Sequence, residues 1–191
     1  MVTTVESKTV LFRLVSCGAL LDPTPCAIAQ AAQVPPPAYS IAARQAGIPS
    51  NILFAVALQE SGLTLRRQRR PWPWTLNVAG AAHYYSTHRD ACLGLLQAMK
   101  RHPATRIDAG LTQINLGYQK RFYRFPCEVL SPHKNLAIAA TLLREHYRTD
   151  GNWLDAAGRF HRPAGGPLAA RYRLSVSHHL RRIVTTGSYR P

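Results

Sequence analysis

The stretch "SNILFAVALQESG", residues 50–62, decides the fold because it joins a continuous apolar segment to a single carboxyl group. Ile52, Val56 and Glu60 recur at four-residue spacing, which places them on one face of an α-helix. Gly62 follows the apolar segment and is expected to end the helix. The sequence therefore predicts an apolar helix that carries Glu60 at its C-terminal end.

Glu60 is the only acidic residue between Asp22 and Asp90, in a chain with 24 Lys+Arg and 9 Asp+Glu. The helix macrodipole is negative at this end and the apolar neighbours desolvate the carboxyl, so both effects disfavour its ionised form. A carboxyl that stays protonated near neutral pH can donate a proton to a leaving oxygen, as glycosidic cleavage requires. A solvated glutamate at a helix end is the alternative, and further motifs are needed to decide between the two.

The composition indicates one basic domain. The chain has 191 residues with 46% hydrophobic content, which is enough for a sizeable core, and its formal net charge is +15 at pH 7. Such a charge attracts nucleic acid, an acidic membrane surface or an anionic cell-wall polymer. The basic clusters at 66–70 and 178–182 are not interleaved with aromatic residues, so we expect no nucleic-acid partner.

Residues 1–29 have the features of an export signal, since a short apolar segment at 14–21 precedes an A-x-A cleavage site at 27–29. The apolar segment is too short to remain as a membrane-spanning helix. A lipobox-like pattern ending at Cys17 is the less favoured alternative, because Arg13 leaves almost no apolar segment before that cysteine. We therefore expect a periplasmic protein.

Cleavage of this signal would leave Cys92 and Cys127 as the only cysteines of the mature chain. Two thiols without C-x-x-C spacing cannot complete a tetrahedral zinc shell, and such a pair in an exported protein more often forms a disulfide. We predict a Cys92–Cys127 disulfide, and neither a metal nor a cofactor.

The remaining pattern predicts a mainly α, or α+β, domain over residues 38–184, after a linker at 30–37 and before a tail at 185–191. Alternating residues in the segment 71–85 predict one small hairpin, which would lie beside a cleft. Further helices are predicted over about 38–46, about 87–102 with Ser86 as cap, 131–151 between Ser131 and Gly151, the segment from Asn152, and about 167–184.

Four short motifs follow one another along the chain: "ESG" (60–62), "GLTQIN" (110–115), "NLAIAATLL" (135–143) and "AAGRFHRP" (156–163). Together they resemble the soluble lytic transglycosylases, whose lysozyme-like domain carries E-S, G-L-M-Q-I/V-N, an N-x-x-x-A/G-A helix, and A-x-x-Y-N or Y-H. "PWPWTLNVAG" (71–80) and the F-H-R-P ending resemble a subgroup associated with conjugative elements and specialised secretion systems. The resemblance covers about residues 38–182.

The resemblance implies cleavage of the β-1,4 bond between N-acetylmuramic acid and N-acetylglucosamine in peptidoglycan. Glu60 would protonate the glycosidic oxygen and then deprotonate the muramyl C6 hydroxyl, which attacks C1 and closes a 1,6-anhydro ring without consuming water. Hydrolytic glycosidases usually need a second carboxylate. The nearest acid to the second motif, Asp108, is interpreted as a turn or strand-end residue, so the scarcity of acids fits a one-carboxylate mechanism.

The same resemblance assigns substrate-binding residues. Gln113 and Asn115 match amides of the cleft wall, which offer donors and acceptors to sugar hydroxyl and N-acetyl groups. Ser61 is expected near the acid, in a supporting role. Trp72 and Trp74 are either a sugar-stacking platform or core residues.

The chain departs from the family pattern at two positions. Thr112 replaces a methionine, which changes packing but removes no catalytic group. Phe160 replaces a tyrosine whose hydroxyl lies near the catalytic carboxyl in relatives, so we expect lower activity or an altered pKa of the acid, and a gain of turnover in Phe160→Tyr. His161 stands where asparagine or histidine occurs and keeps a polar contact in the cleft wall.

The sequence thus favours an exported lytic transglycosylase that opens peptidoglycan locally for an envelope-spanning secretion or conjugation apparatus. We expect a monomer whose partners are glycan strands and components of that apparatus. One alternative is a catalytically weakened peptidoglycan-binding assembly factor, motivated by Phe160. The other is a basic nucleic-acid-binding protein.

Overall fold

The computed structural model describes residues 32–184, apart from the side chains at 149 and 150. The predicted signal peptide, Cys17 and the tail at 185–191 lie outside these residues. Within the described range the chain is mixed α+β, as expected. The α-helices are α1 (Pro37–Ala46), α2 (Ser50–Ser61), α3 (His88–Met99), α4 (Pro132–Asp150), α5 (Trp153–His161) and α6 (Gly166–Leu180). Short 3-10 helices span Ala104–Arg106, Lys120–Phe122 and Pro126–Leu130.

The strands form two antiparallel sheets. They are β1 (Gly62–Leu65), β2 (Gln68–Pro71), β3 (Thr75–Val78), β4 (Ala81–Tyr84), β5 (Ile107–Ala109) and β6 (Ile114–Asn115). The first sheet is the β1–β2 hairpin, and the second has the strand order β4–β3–β5–β6. The predicted hairpin is therefore one half of a four-stranded sheet.

Helix α2 lies in the hydrophobic core. Residues 52–58 are all buried, so the helix is surrounded by protein on every side and not only along the predicted stripe. It packs against α1, α4, α5 and α6 and against the β1–β2 hairpin. The C-terminal end of α2 lies beside α6 and α5, because Tyr172 of α6 bonds to Glu60 and His161 of α5 lies 4.0 Å from it.

No single helix within residues 32–184 is long and apolar enough to cross a membrane. Helices α1 and α2 reach the length and hydropathy of a membrane span only when they are counted as one segment, and that segment bends by 118° between the two helices.

Local signals explain most helix ends. Pro132 begins α4 and Gly151 ends it in the left-handed conformation with a φ of 65°, as the sequence predicts. Asn152 caps α5 by accepting hydrogen bonds from two backbone N–H groups. The predicted cap of α3 was wrong by one residue, because Thr87, and not Ser86, accepts the backbone N–H three residues later. The last helix ends at Leu180, before the predicted end.

The hairpin β3–β4 closes through Ala79 and Gly80, whose φ values of 54° and 95° form the turn that matches the twist of the strands.

The hairpin β1–β2 was not predicted. Its turn residues Arg66 and Arg67 also have positive φ values, 47° and 65°, in a conformation that arginine seldom adopts. The basic composition of this segment therefore concealed both the strands and the turn.

Part of the predicted linker at 30–37 lies within the described residues, and this part, residues 32–37, contacts the domain. Gln33 pairs with Ile183 in an isolated parallel bridge, and its side-chain amide donates to the carbonyl oxygen of Arg69. Pro37 already belongs to α1.

Cys92 of α3 and Cys127 of the third 3-10 helix form a disulfide, the pairing that the sequence predicts. It links residues 35 apart in the sequence and ties α3 to the segment that precedes α4.

Candidate active site

Glu60 lies in the last turn of α2 and faces a cleft of about 660 Å³. The cleft is lined by residues of β3, β5 and β6, by residues 118–119, and by residues 160–164 at the end of α5. A second pocket of about 520 Å³ lies between residues 32–39 and β2, but it has no acidic side chain. The cleft at Glu60 is therefore the candidate active site.

Burial controls the ionisation of Glu60, whose side chain is only 16% exposed. Loss of solvent raises the pKa of the carboxyl from 4.5 to about 7, and the negative charge of Asp108 acts in the same direction. A hydrogen bond from Tyr172 acts in the opposite direction, but its effect is smaller than that of burial. Glu60 can therefore both donate and accept a proton near neutral pH.

Tyr172 of α6 holds the Glu60 carboxyl in place. Its hydroxyl donates a hydrogen bond of 2.6 Å to Oε1 of Glu60. Tyr172 is itself buried, and burial followed by the neighbouring Glu60 raises the pKa of its hydroxyl well above the ordinary value. The hydroxyl thus keeps its proton and remains a hydrogen-bond donor to the acid.

His161 completes a row of side chains at the acid. Its ring stacks on the Tyr172 ring with a centroid distance of 4.5 Å and an interplanar angle of 7°, and its Nδ1 lies 4.0 Å from Oε1 of Glu60. Partial burial and the charge of Arg162 lower the pKa of His161. A neutral imidazole at neutral pH leaves the raised pKa of Glu60 without an opposing cation.

The structure bears on the expectation drawn from Phe160, because it shows a second source for the missing hydroxyl. Phe160 lines the cleft without a hydroxyl, as expected, but Tyr172 brings a hydroxyl to the same carboxyl from the next helix. Tyr172 lies 112 residues from Glu60 in the sequence. Sequence reasoning missed it because no local periodicity or spacing marks this tyrosine as different from the other buried residues of α6.

The amides Gln113 and Asn115 both line the cleft, and both are also bonded to nearby backbone. Gln113 donates to the carbonyl oxygens of Gly110 and Thr75, while Asn115 Oδ1 accepts two backbone N–H groups in the following turn. Gln113 Oε1 has no hydrogen-bond partner among residues 32–184. This amide oxygen can therefore accept a hydrogen bond from a ligand in the cleft.

Ser61 does not line the cleft, which corrects its assignment as a substrate-binding residue. It is 2% exposed, and its hydroxyl donates a hydrogen bond of 2.6 Å to the carbonyl oxygen of Leu111. Ser61 therefore ties the end of α2 to the loop that carries Gln113, which is the supporting role that the sequence also suggested.

Asn135 of α4 holds the same loop from the other side. It is fully buried, its Oδ1 accepts from the backbone N–H and the hydroxyl of Thr112, and its Nδ2 donates to the carbonyl oxygens of Ala109 and Val129. The departure at Thr112 thus adds a hydrogen bond to this network. Gly110, with a φ of 83°, is required here because a Cβ would lie 2.3 Å from Asn135 Nδ2.

The tryptophans are structural. Trp72 donates its indole N–H to the carbonyl oxygen of Tyr85, the rings of Trp72 and Trp74 meet edge to face at 5.8 Å, and neither lines the cleft. The exposed aromatic of the cleft is Tyr118, which is 73% exposed and follows the second motif. Its position in the cleft could not be read from the sequence, because it depends on how the segment after β6 packs against the end of α5.

Asp108 was interpreted as a turn or strand-end residue, and this was wrong. It is the middle residue of β5, it lines the cleft with Glu60, and its Oδ1 accepts a hydrogen bond of 2.8 Å from Asn115. Burial raises the pKa of Asp108, and the bond from Asn115 opposes that effect. The cleft therefore contains two carboxyl groups.

Within residues 32–184 there is no group of three or more His, Cys, Asp or Glu side chains arranged to hold a metal ion. Comparison of the chain with protein-family models, with curated proteins and with solved structures finds no match.

Proposed function

We propose that the chain is a lytic transglycosylase with a lysozyme-like fold, which cleaves the β-1,4 bond between N-acetylmuramic acid and N-acetylglucosamine and forms 1,6-anhydro-N-acetylmuramic acid. The observation that carries the proposal is the state of Glu60. A buried carboxyl with a pKa of about 7, held by a hydroxyl donor at an open cleft, suits a group that must act first as an acid and then as a base.

In the first step the Glu60 carboxyl donates its proton to the glycosidic oxygen as the bond from C1 to that oxygen breaks. The resulting carboxylate then removes the proton of the C6 hydroxyl, whose oxygen attacks C1 and closes the anhydro ring. Tyr172 supports the second form, because its hydrogen bond to Oε1 stabilises the carboxylate between the two steps. Burial supports the first form, because it favours the protonated acid.

The resemblance of the four motifs also supports a proposal for where in the cell the protein acts. We place the protein in the periplasm, where it would open peptidoglycan locally for a secretion or conjugation apparatus. A net charge of +15 suits binding to the anionic cell-wall polymer. We favour the enzyme over the alternative of a catalytically weakened binding factor, because Tyr172 gives Glu60 the hydroxyl partner that Phe160 lacks.

The test is digestion of purified sacculi, followed by mass spectrometry of the released muropeptides. Wild type should release 1,6-anhydromuropeptides, and Glu60→Gln should release none while it keeps the fold. Glu145→Gln is the matched control, because Glu145 is paired with Arg121 at the surface and does not line the cleft. Folded wild-type protein that releases no anhydromuropeptides would contradict the proposal.

A further inference from the structure

The two basic clusters of the sequence lie side by side in the structure. The first, residues 66–70, forms the turn between β1 and β2 and most of β2, and the second, residues 178–182, forms the end of α6. Gln33 joins them, because its side-chain amide donates to the carbonyl oxygen of Arg69 and its backbone N–H donates to the carbonyl oxygen of Arg182. We call the two clusters together the basic surface.

The charge of the basic surface is not balanced by acids in the same segments. No Asp or Glu occurs at 61–89 or at 156–184, the two stretches of sequence that contain the clusters. His179 lies within the surface, and burial, followed by the charges of three basic neighbours of which Arg182 is the first, lowers its pKa to about 4. The charged groups that act on this imidazole are thus all basic. A surface of this kind attracts anions.

The turn of the β1–β2 hairpin carries two arginines in a backbone conformation that does not favour them. Leu65 pairs with Gln68, so Arg66 and Arg67 are the two residues of the turn, and both have positive φ values. Turns of this type prefer Asn-Gly, and strained backbone is found most often at functional sites. Both arginine side chains are exposed, and neither has an ion-pair partner among residues 32–184. The hairpin therefore presents two unpaired charges to the solvent.

Apolar side chains lie beside these charges. Leu65 precedes the turn, Val34 and Val184 follow the residues of the isolated bridge, and all three are exposed. The pocket of about 520 Å³ adjoins the same region, since Arg69 and Arg70 line it together with residues that are mostly apolar or proline. An anion that binds to the basic surface would therefore also meet apolar area.

The combination of charge and apolar area favours one class of anionic partner. Nucleic acid is recognised by charge together with aromatic stacking, and neither cluster contains an aromatic residue. A glycan strand offers no alkyl chains to exposed aliphatic residues. An anionic phospholipid layer offers phosphate groups to guanidinium groups and, beneath them, an apolar boundary to aliphatic side chains.

We propose that the basic surface docks on an anionic phospholipid membrane. The two arginines of the β1–β2 turn contact lipid phosphates, and the exposed aliphatic side chains beside them enter the boundary between headgroups and acyl chains. No residue of the basic surface lines the cleft at Glu60, so this inference goes beyond the proposed function and does not depend on its chemistry.

The test is sedimentation of the full chain with vesicles of phosphatidylcholine, with and without phosphatidylglycerol. Wild type should prefer the vesicles that contain phosphatidylglycerol, and its affinity for them should fall as the salt concentration rises. The double variant Arg66→Asn/Arg67→Gly removes both charges and supplies the residue pair that the turn prefers, so it should keep the fold. An arginine near an anionic leaflet contributes about a five-fold gain in affinity, so this variant should bind about twenty-five-fold more weakly. Arg66→Lys/Arg67→Lys keeps the charges and should bind almost as wild type does.

Arg89→Gln/Lys100→Gln is the matched control, because it removes the same charge from exposed residues at the two ends of α3, outside the basic surface. It should weaken binding by less than about two-fold, since charges far from the membrane are screened. Arg181→Gln tests the second cluster and should weaken binding about five-fold. If the hairpin variant does not fold, Arg181→Gln decides the matter, because an unchanged affinity in that variant then overturns the inference.

Several outcomes would overturn the inference. One is wild type that binds both kinds of vesicle equally or neither of them, and another is an equal loss in the hairpin variant and in the α3 control, which would mean that net charge alone drives binding. A loss of the same size on purified sacculi or on duplex DNA would also overturn it, because the surface would then bind polyanions in general. None of these results bears on the proposed function, whose measurement is the release of anhydromuropeptides from sacculi.

Discussion

Glu60→Gln is expected to stabilise the fold above neutral pH as well as to abolish turnover. In the folded state the pKa of Glu60 is about 7, and its ordinary value is 4.5. Between these values the folded protein binds more protons than the unfolded chain, so the stability of wild type falls as the pH rises from 4.5 through about 7. The difference between the two pKa values corresponds to about 3 kcal/mol. Glutamine does not titrate, and its carbonyl oxygen can still accept the Tyr172 hydrogen bond.

The assay is urea unfolding of wild type and Glu60→Gln at about pH 4.5 and about pH 8.5. The free energy of unfolding of the variant, minus that of wild type, should increase by about 3 kcal/mol between the two conditions. Subtracting the wild-type value removes the contribution of every other group that titrates in the same way in both proteins. Glu145→Gln is the control, since it removes an exposed carboxyl paired with Arg121, and its effect should stay below about 1 kcal/mol. If the difference for Glu60→Gln is the same at both pH values, burial does not raise the pKa of Glu60 and the argument for its catalytic state fails.

Tyr172→Phe should raise the pKa of Glu60 further, because it removes a hydrogen bond that favours the carboxylate. The pH above which the reaction rate declines should therefore move upward, and an unchanged pH–rate profile would contradict the role of Tyr172. Phe160→Tyr should leave turnover within about two-fold of wild type, because the Glu60 carboxyl already has its hydroxyl donor; a ten-fold gain in initial rate on sacculi would restore the expectation from the sequence. Cys127→Ser should lower the free energy of unfolding by about 3–4 kcal/mol, the loop-closure value for residues 35 apart, relative to the oxidised wild type. Equal stability of the two in urea, or two freely alkylated thiols in native protein, would show that Cys92 and Cys127 are not bridged.

Signals within a few residues of each other were enough to predict several elements and the first member of the site. The apolar segment before Glu60 predicted α2, and Pro132 with Gly151 predicted both ends of α4. Helix capping and apolar periodicity depend on backbone groups within one or two turns, so they can be read from sequence. The position of Glu60 at a helix end among apolar residues followed from the same local information.

Strands and their partners were harder to predict. Strands β5 and β6 have three and two residues, too few to show an alternating pattern, and the basic composition of 66–70 concealed the turn between β1 and β2. Pairing in a sheet joins residues distant in the chain, and register is set by packing of the whole face. For this reason the sequence predicted one hairpin where the structure has two sheets.

The amino-acid sequence by itself determined that this chain has an apolar helix ending in one acid, and it predicted that Cys92 and Cys127 pair. Only the tertiary structure decided what surrounds that acid. Tyr172 reaches Glu60 from 112 residues away because α6 packs on α2, and Asp108 joins Asn77 and Asn115 because three short strands pair in register. Hydrogen bonds between distant elements depend on how buried faces pack, and no local sequence pattern records that packing. The pKa of a buried acid depends on the same distant neighbours, so it too is decided by the tertiary structure.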